Sequence, residues 1–273
     1  VDTAPIRIAG SDSDPALNVA ALAAGGGVSL LAWRSYEETG NHGAILTSSG
    51  SVTPVALPNV LVGGAAWNGS ELLVSYAVAT GPWPSQGLFP DPPCDIRVLR
   101  VAANGAVLDA APHTIAHLTT YVESIAVASN GGGFLVAWKP DLYQRFGIPS
   151  VIGGTFVAPD GTPLSSTPRA LSSDGVSEGP FVTPYFDGYA VAWTTRPAYD
   201  QQGMQWRTTN GQTTESLPLM REAYYTTGAS AVAIGPRLVF AYPRIDDSAE
   251  AGGVLRVFVR TVSTVPRRRA INH

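Results

Sequence analysis

The stretch that decides the fold is NGGGFLVAWK at residues 130–139, a glycine-rich turn followed by a short apolar run that ends on a tryptophan. Turn residues followed by a few apolar residues are typical of a buried strand. The same pattern occurs four more times along the chain. These copies are GGGVSLLAWR (25–34), NGSELLVSYA (68–77), YFDGYAVAWT (185–194) and IGPRLVFAYP (234–243). The chain is therefore a repeat of one strand-containing unit.

Each copy belongs to a longer unit with further strand patterns before and after it. The aromatic residues that align are Trp33, Tyr76, Trp138, Trp193 and Tyr242. A run of small residues precedes each copy, which suits a strand crowded around a central axis, and NVAALAAG at 18–25 is therefore a strand despite its alanines. A turn and a Pro-containing run follow four of the five aromatics. Each unit predicts four antiparallel strands over about 50 residues.

The turns and prolines of the later strands fix which strand is outermost. The turn dipeptides are Asn104-Gly105, Asp160-Gly161 and Asn210-Gly211. They predict type I′ hairpins, which need positive φ at both central residues. The prolines that follow the turns are Pro54, Pro112, Pro168 and Pro218. Proline has no backbone N–H to donate. We therefore expect it in an outermost strand, whose outer edge has no neighbouring strand to bond.

The fifth unit has only three strand patterns, since no turn and no Pro-containing run follow residues 252–263. The missing pattern stands at the other end of the chain, in TAPIRIA at residues 3–9, with Pro5 in the expected place. We expect this N-terminal strand to complete the last sheet. The predicted fold is all-β, a closed five-bladed β-propeller with four antiparallel strands per blade. It forms a single domain over residues 1–263, and residues 264–273 form a C-terminal tail.

These units resemble the β-propeller repeats of large secreted proteins of high-GC bacteria, which have a recurrent G-x-x-[FY]-L-V-A-W core. The resemblance covers residues 3–263 and implies a five-bladed ring, an architecture shared by glycosidases, lectins and scaffolds. It also implies that the long loops on one face carry the ligand. A secreted or cell-surface location follows from the same analogy, with other domains of a larger protein among the expected partners.

Aromatic side chains recur in the long loops of that face. They are Tyr36, Trp83, Phe89, Tyr143, Phe146 and Tyr199. Flat ring faces suit contacts with sugar rings or peptide side chains, so these six are candidate ligand-binding residues. The alternative is that each ring packs its own loop onto the sheets.

The repeat also aligns residues at the start of the innermost strand, fifteen positions before each aromatic. Asn18, Glu123 and Glu178 occupy such positions, and Tyr121 stands beside Glu123. Two carboxylates that face one cavity can divide into an acid and a base, as in a glycoside hydrolase. Asn18 and Tyr121 are candidate ligand contacts at the same place. The alternative is that both glutamates are solvated at the mouth of a funnel.

Composition excludes several other classes of protein. The formal net charge of −4 gives no reason to expect a nucleic-acid partner, and no apolar run approaches the ~20 residues of a membrane helix. The lone Cys94 excludes a disulfide framework and a cysteine zinc site. His113 and His117 lie too far apart on an extended strand to share one zinc ion. We expect no metal site and no cofactor, and Cys94 is either a free thiol, which we favour, or a tether.

The favoured function is a secreted or surface binding module that presents aromatic loops on one propeller face to a glycan or a protein partner. One alternative is a glycoside hydrolase or polysaccharide lyase that uses Glu123 and Glu178 as catalytic carboxylates. A second alternative is a structural propeller domain of a larger secreted protein.

Overall fold

The computed structural model describes most of the chain as antiparallel β-sheet, which confirms the all-β class. The described residues are 8, 18–34, 42–58, 63–83, 92–140, 151–172, 176–198, 201–209, 230–235, 237–246 and 254–263. All the regular elements in these ranges are strands, so no helix of this part of the chain has the length and apolar character to cross a membrane. The chain divides into two compact units, Val1–Asp174 and Gly175–His273.

The first unit holds three four-stranded sheets, each with its strands in chain order. Sheet 1 contains β1 (Asn18–Gly25), β2 (Val28–Arg34), β3 (Gly43–Thr47) and β4 (Val52–Val55). Sheet 2 contains β5 (Gly63–Trp67), β6 (Glu71–Ala79), β7 (Cys94–Ala102) and β8 (His113–Leu118). Sheet 3 contains β9 (Val122–Ser129), β10 (Phe134–Pro140), β11 (Gly153–Val157) and β12 (Arg169–Ala170). Four antiparallel strands per unit are therefore confirmed for these three repeats.

The second unit holds two sheets, and each has three strands within the described residues. Sheet 4 contains β13 (Val176–Tyr185), β14 (Gly188–Ala198) and β15 (Gln201–Thr209). Sheet 5 contains β16 (Ser230–Ile234), β17 (Arg237–Asp246) and β18 (Val254–Ser263). The expected outermost strand of sheet 4, with Pro218, and the N-terminal strand at residues 3–9 lie outside the described residues. The closed five-bladed ring and the single domain over 1–263 stay predictions.

The innermost strands of the first unit lie side by side, β1 against β5 and β5 against β9. Small residues were predicted in these strands, and the close approach of β5 to β9 requires one at Gly64. A Cβ atom added to Gly64 of β5 would lie 3.1 Å from the carbonyl oxygen of Ile125 in β9. Apolar side chains from facing sheets fill the spaces behind these strands, with Tyr76 in the core between sheets 1 and 2 and Trp138 in the core between sheets 2 and 3. Burying aromatic rings of this size contributes strongly to the packing of the sheets.

Two of the three predicted hairpin turns have another type than predicted, and the third, at Asn210-Gly211, lies outside the described residues. Gly105 has φ +88° and Gly161 has φ +87°, but Phe186 is the one non-glycine residue with positive φ in the described part of the chain. A type I′ turn would need positive φ at Asn104 and Asp160 as well. The Ala102 amide instead donates to the Ala106 carbonyl, and the Gly105 amide donates to the Ala102 carbonyl. The loops are thus three-residue hairpins that place only the glycine in the left-handed region.

The outermost strands bear out the prediction for proline in one case and shift it by one residue in two. Pro54 lies within β4 and pairs with Ala44 of β3, at the edge of sheet 1. Pro112 and Pro168 stand one residue before β8 and β12. In each position the missing N–H leaves no gap in a ladder.

A charged network joins the second and third strands of sheet 2 to the turn beyond β7. Asp109 accepts three hydrogen bonds from Arg100, from the backbone amide at 2.7 Å, from Nε at 2.9 Å and from Nη2 at 2.6 Å. Glu71 Oε1 lies 3.4 Å from Arg100 Nη1. Burial opposes ionisation of Asp109, but the hydrogen bonds from Arg100 outweigh it and hold the pKa of the carboxyl below its usual range.

We predict that Asp109→Asn lowers the free energy of unfolding by about 2–3 kcal/mol at pH 7, since charged hydrogen bonds to a buried partner are lost. A carboxyl with a depressed folded-state pKa stabilises the protein above about pH 4, and that contribution disappears as the pH falls through the folded pKa. The difference between variant and wild type therefore shrinks toward pH 2 in urea unfolding. Glu71→Gln is the control, with a loss below about 1 kcal/mol. A pH-independent difference would contradict the assignment.

Candidate functional site

An exposed aromatic platform lies at the end of sheet 2 where β6 ends and β7 begins, called here the β6–β7 end. The ring of Trp83 lies on the ring of Tyr121, with centroids 4.9 Å apart and planes inclined at 58°. Trp83 is 53% exposed and Tyr121 is 4% exposed. Two residues that the sequence places among the ligand contacts therefore meet, one of them half exposed and the other buried beneath it.

Tyr121 is fixed from below by the end of β6. Its hydroxyl donates to the carbonyl oxygen of Ala77 at 3.4 Å. Burial raises the pKa of Tyr121 to about 12, the neighbouring Cys94 adds to the rise, and the positive charge of Arg34 opposes it. Tyr121 thus stays a neutral phenol under Trp83 at physiological pH.

Cys94 begins β7 and lies under the same platform. Its thiol is buried and free, and Sγ donates to the carbonyl oxygen of Thr120 at 3.4 Å. Burial raises the pKa of the thiol to about 11, and the charge of Asp95 adds to the rise. A thiol in this setting is an inert packing group and a poor nucleophile. This agrees with the predicted free thiol.

Glu123 and Lys139 form an ion pair at the corresponding end of sheet 3. Lys139, the one lysine of the chain, is buried, and its Nζ contacts Oε2 of Glu123, whose side chain is 48% exposed. Lys139 pairs with Ser124 and Pro140 pairs with Val122, so Glu123 is an extra residue in β9. Such a bulge redirects a side chain at the end of a ladder. Here it turns the carboxylate toward solvent beside a fixed cation.

Two of the residues that the repeat aligns, Asn18 and Glu178, occupy corresponding places in their own sheets. Asn18 pairs with Arg34, the residue after Trp33, and Glu178 pairs with Thr194, the residue after Trp193. Glu123 departs from this register, because Lys139, the residue after Trp138, pairs with Ser124. Glu123 belongs to the first unit and Glu178 to the second. Their convergence on one cavity stays a prediction.

A second polar group lies on β7 and β8 at the β6–β7 end. Asp95 Oδ1 lies 2.8 Å from Nδ1 of His117, and Arg97 Nη2 donates to Oδ2 of Asp95 at 2.9 Å. Burial opposes ionisation of Asp95, but the hydrogen bonds from Arg97 and His117 outweigh it and lower the pKa of the carboxyl. Within the described residues, no group of three or more His, Cys, Asp or Glu side chains is placed to hold a metal ion.

Five of the predicted ligand-binding aromatics lie outside the described residues. They are Tyr36, Phe89, Tyr143, Phe146 and Tyr199. The structure describes the backbone of Asn18, which begins β1, but not its side chain. The roles of these six residues stay predictions.

Sequence reasoning missed Lys139 and the group around Asp95. Lys139 is the one lysine in a chain with many arginines, and it stands directly after a repeat aromatic. That unusual feature was the signal by which the sequence could have indicated it. The group around Asp95 had a weaker indication, because it depends on the register in which β7 pairs with β8. That register sets His117 opposite Asp95 and has a bulge that no sequence pattern marks.

Neither a protein-family model nor a curated protein matches the sequence, but solved structures match the fold. A thermostable family-43 glycoside hydrolase is 11% identical with a TM-score of 0.51, over 92% of this chain and 90% of its own. Hydrazine synthase of Kuenenia stuttgartiensis is 12% identical with a TM-score of 0.57, over 95% of this chain and 67% of its own. At these identities the likeness shows a shared fold of the β-propeller type and nothing further.

We predict that Cys94 does not react with a disulfide reagent such as DTNB in the folded protein at pH 8, because burial and a raised pKa of about 11 leave almost no thiolate. One thiol per chain reacts after unfolding in guanidinium chloride. The absorbance of the thiolate that DTNB releases measures the labelling of the folded and of the unfolded protein. Fast labelling of the folded protein would contradict the buried position under Tyr121.

Proposed function

We propose that the protein is a secreted or surface carbohydrate-binding module whose ligand lies on the β6–β7 end of the first unit. The observation that carries this proposal is the Trp83 platform. An indole ring that is half exposed costs free energy in water unless a partner covers it, and a pyranose ring presents a flat apolar face of matching size. Tyr121 holds the indole in place from beneath, so the binding surface is formed before the ligand arrives.

The polar groups at the corresponding end of sheet 3 suit the hydroxyl groups of a sugar. Glu123 offers carboxylate oxygens as hydrogen-bond acceptors, and Lys139 holds one of them in a fixed position. Small-molecule sites combine an apolar surface with a few oriented polar groups in this manner.

The fold likeness supports a carbohydrate ligand without deciding it. A family-43 glycoside hydrolase shares the fold, and so does a hydrazine synthase, which carries out different chemistry. Fold alone therefore does not choose the ligand. The exposed indole favours a glycan. If the ligand is a protein, or if the role is purely structural, the protein binds no glycan.

A second candidate function is a glycoside hydrolase, with a polysaccharide lyase as the related case. The observation that favours it is that Glu123 and Glu178 each lie near the start of the innermost strand of their sheet, β9 and β13. In this function one carboxylate is the acid and the other is the base or nucleophile. The contact with Lys139 favours the second role for Glu123, since a neighbouring cation stabilises a carboxylate.

The ring of five blades, closed by residues 3–9, is the other part of the proposal. Two open apolar faces support it. Leu22 of sheet 1 is 63% exposed, and Val257 and Val259 of sheet 5 are 73% and 66% exposed. Val257 and Val259 alternate along β18 and therefore share one face. Closure of the ring covers the apolar faces of the first and last sheets, and it supplies the edge of β18 with a partner strand.

We predict that Trp83→Ala weakens glycan binding about tenfold or more, because stacking and burial of the indole are lost. Glycan arrays identify the ligand, and calorimetry measures its Kd. Phe186→Ala is the matched control, since Phe186 is also an exposed ring packed on a buried tyrosine, Tyr185, and its loss leaves the Kd unchanged. Equal affinities of wild type and Trp83→Ala would contradict the site.

The same samples separate binding from catalysis. A hydrolase or lyase releases new sugar ends from the bound glycan, and Glu123→Gln abolishes that release while binding persists. A binding module releases none in the wild type.

We predict that deletion of residues 1–9 lowers Tm by more than 10 °C, whereas deletion of residues 264–273 changes Tm by less than about 2 °C. The first deletion removes the closing strand, and an exposed edge with an open apolar face also promotes aggregation. Differential scanning calorimetry gives both values. Equal Tm values for the two truncated proteins would contradict closure by the N-terminal strand.

A further inference from the structure

Asp95 holds two basic side chains at the β6–β7 end, outside the contacts of the Trp83 platform. His117 bonds one oxygen of the carboxylate and Arg97 bonds the other. The Asp95 side chain is 11% exposed, whereas that of His117 is 82% exposed and that of Arg97 is 35% exposed. The acid is therefore the buried partner, and the two bases face solvent.

The carboxylate fixes which atoms face outward. An ionised Asp95 only accepts hydrogen bonds, so Nδ1 of His117 is the donor and Nε2 is the nitrogen left for a ligand. Arg97 uses Nη2 on Asp95, its Nε is buried without a hydrogen-bond partner, and Nη1 is left for a ligand. Both groups bond one carboxylate, so Arg97 and His117 are held at the same place on β7 and β8.

The chemistry of the pair favours an oxyanion over a cation. A guanidinium is a rigid donor whose geometry matches carboxylate, phosphate and sulfate oxygens. An imidazolium held by a carboxylate donates from its second nitrogen in the same way. The positive charge of Arg97 beside His117 opposes a metal ion at this place. A purely structural role would need only the bond between Asp95 and Arg97, and an imidazole that is mostly exposed adds little to packing.

We propose that Arg97 and His117 form a binding site for an acidic substituent of the glycan, a carboxylate of a uronic acid or a sulfate ester. This inference rests on the proposed function and narrows it to acidic polysaccharides. The substituent binds at the start of β7 and the end of β8 while a sugar ring of the same chain covers Trp83. Trp83 follows β6, and Asp95 is the second residue of β7, so both sites flank the ends of the long connection at residues 80–93.

The test follows the imidazole of His117 by NMR at pH 5.5 and constant ionic strength. The probes are sodium sulfate, glucuronate and glucose. We expect saturable shifts of the His117 resonances with sulfate and with glucuronate and no shift with glucose. A response to one anion alone identifies the substituent. Shifts that fail to saturate with either anion would overturn the site.

Variants test the two residues separately. Arg97→Gln and His117→Gln each weaken binding of the acidic probe at least tenfold, and the second keeps its fold because the side chain is exposed. His113→Gln is the matched control, on the same strand beside a different carboxylate, Asp109, and it binds as the wild type does. Unchanged affinity in either of the first two variants overturns the proposal.

A neutral oligosaccharide distinguishes this proposal from the proposed function. Binding of neutral and acidic glycans with equal affinity, lost in Trp83→Ala, refutes the acidic site and retains the carbohydrate-binding module. Binding of glucuronate at His117 without any glycan binding refutes the module and retains the anion site.

Discussion

The innermost strands of the first unit approach so closely that Gly64 has no space for a side chain, since an added Cβ would lie 3.1 Å from the Ile125 carbonyl oxygen. The small residue at this position permits β5 to lie against β9. Once they do, the larger side chains of facing sheets fill the spaces behind them, and Trp138 is enclosed at 1% exposure. The rest of the architecture follows from this crowding at the inner edge.

The same close approach brings the ends of strands in neighbouring sheets together. Tyr121, before sheet 3, bonds the end of β6 in sheet 2, and Cys94 of β7 bonds the carbonyl of Thr120. Side chains at strand ends have fewer neighbours than those in the middle of a sheet, so Trp83 and Glu123 stay accessible while their supports Tyr121 and Lys139 are buried. A rigid core thus presents an accessible surface, which is the arrangement that a binding site needs.

How much the sequence predicts depends on the range of the interaction. The repeated aromatics and small residues locate the strands well, because period and side-chain size are local properties. The turns were less predictable, since Asn104 keeps a negative φ where a type I′ turn needs a positive one, and only the hydrogen bonds of Ala102 decide between the hairpin types. The meeting of Trp83 with Tyr121 and of Asp95 with His117 depends on strand register and on packing between sheets. The amino-acid composition carries no information on strand register or on the packing between sheets.

Hydrogen exchange with and without a bound glycan tests the central claim most directly, because it reports on both ends of the sheets in one experiment. The account predicts slower exchange on binding at the end of β6, the start of β7 and the segment 117–123. It predicts no change in the hairpin turns at 102–106 and 158–162, at the opposite end. Protection confined to those turns would contradict a ligand site at the β6–β7 end.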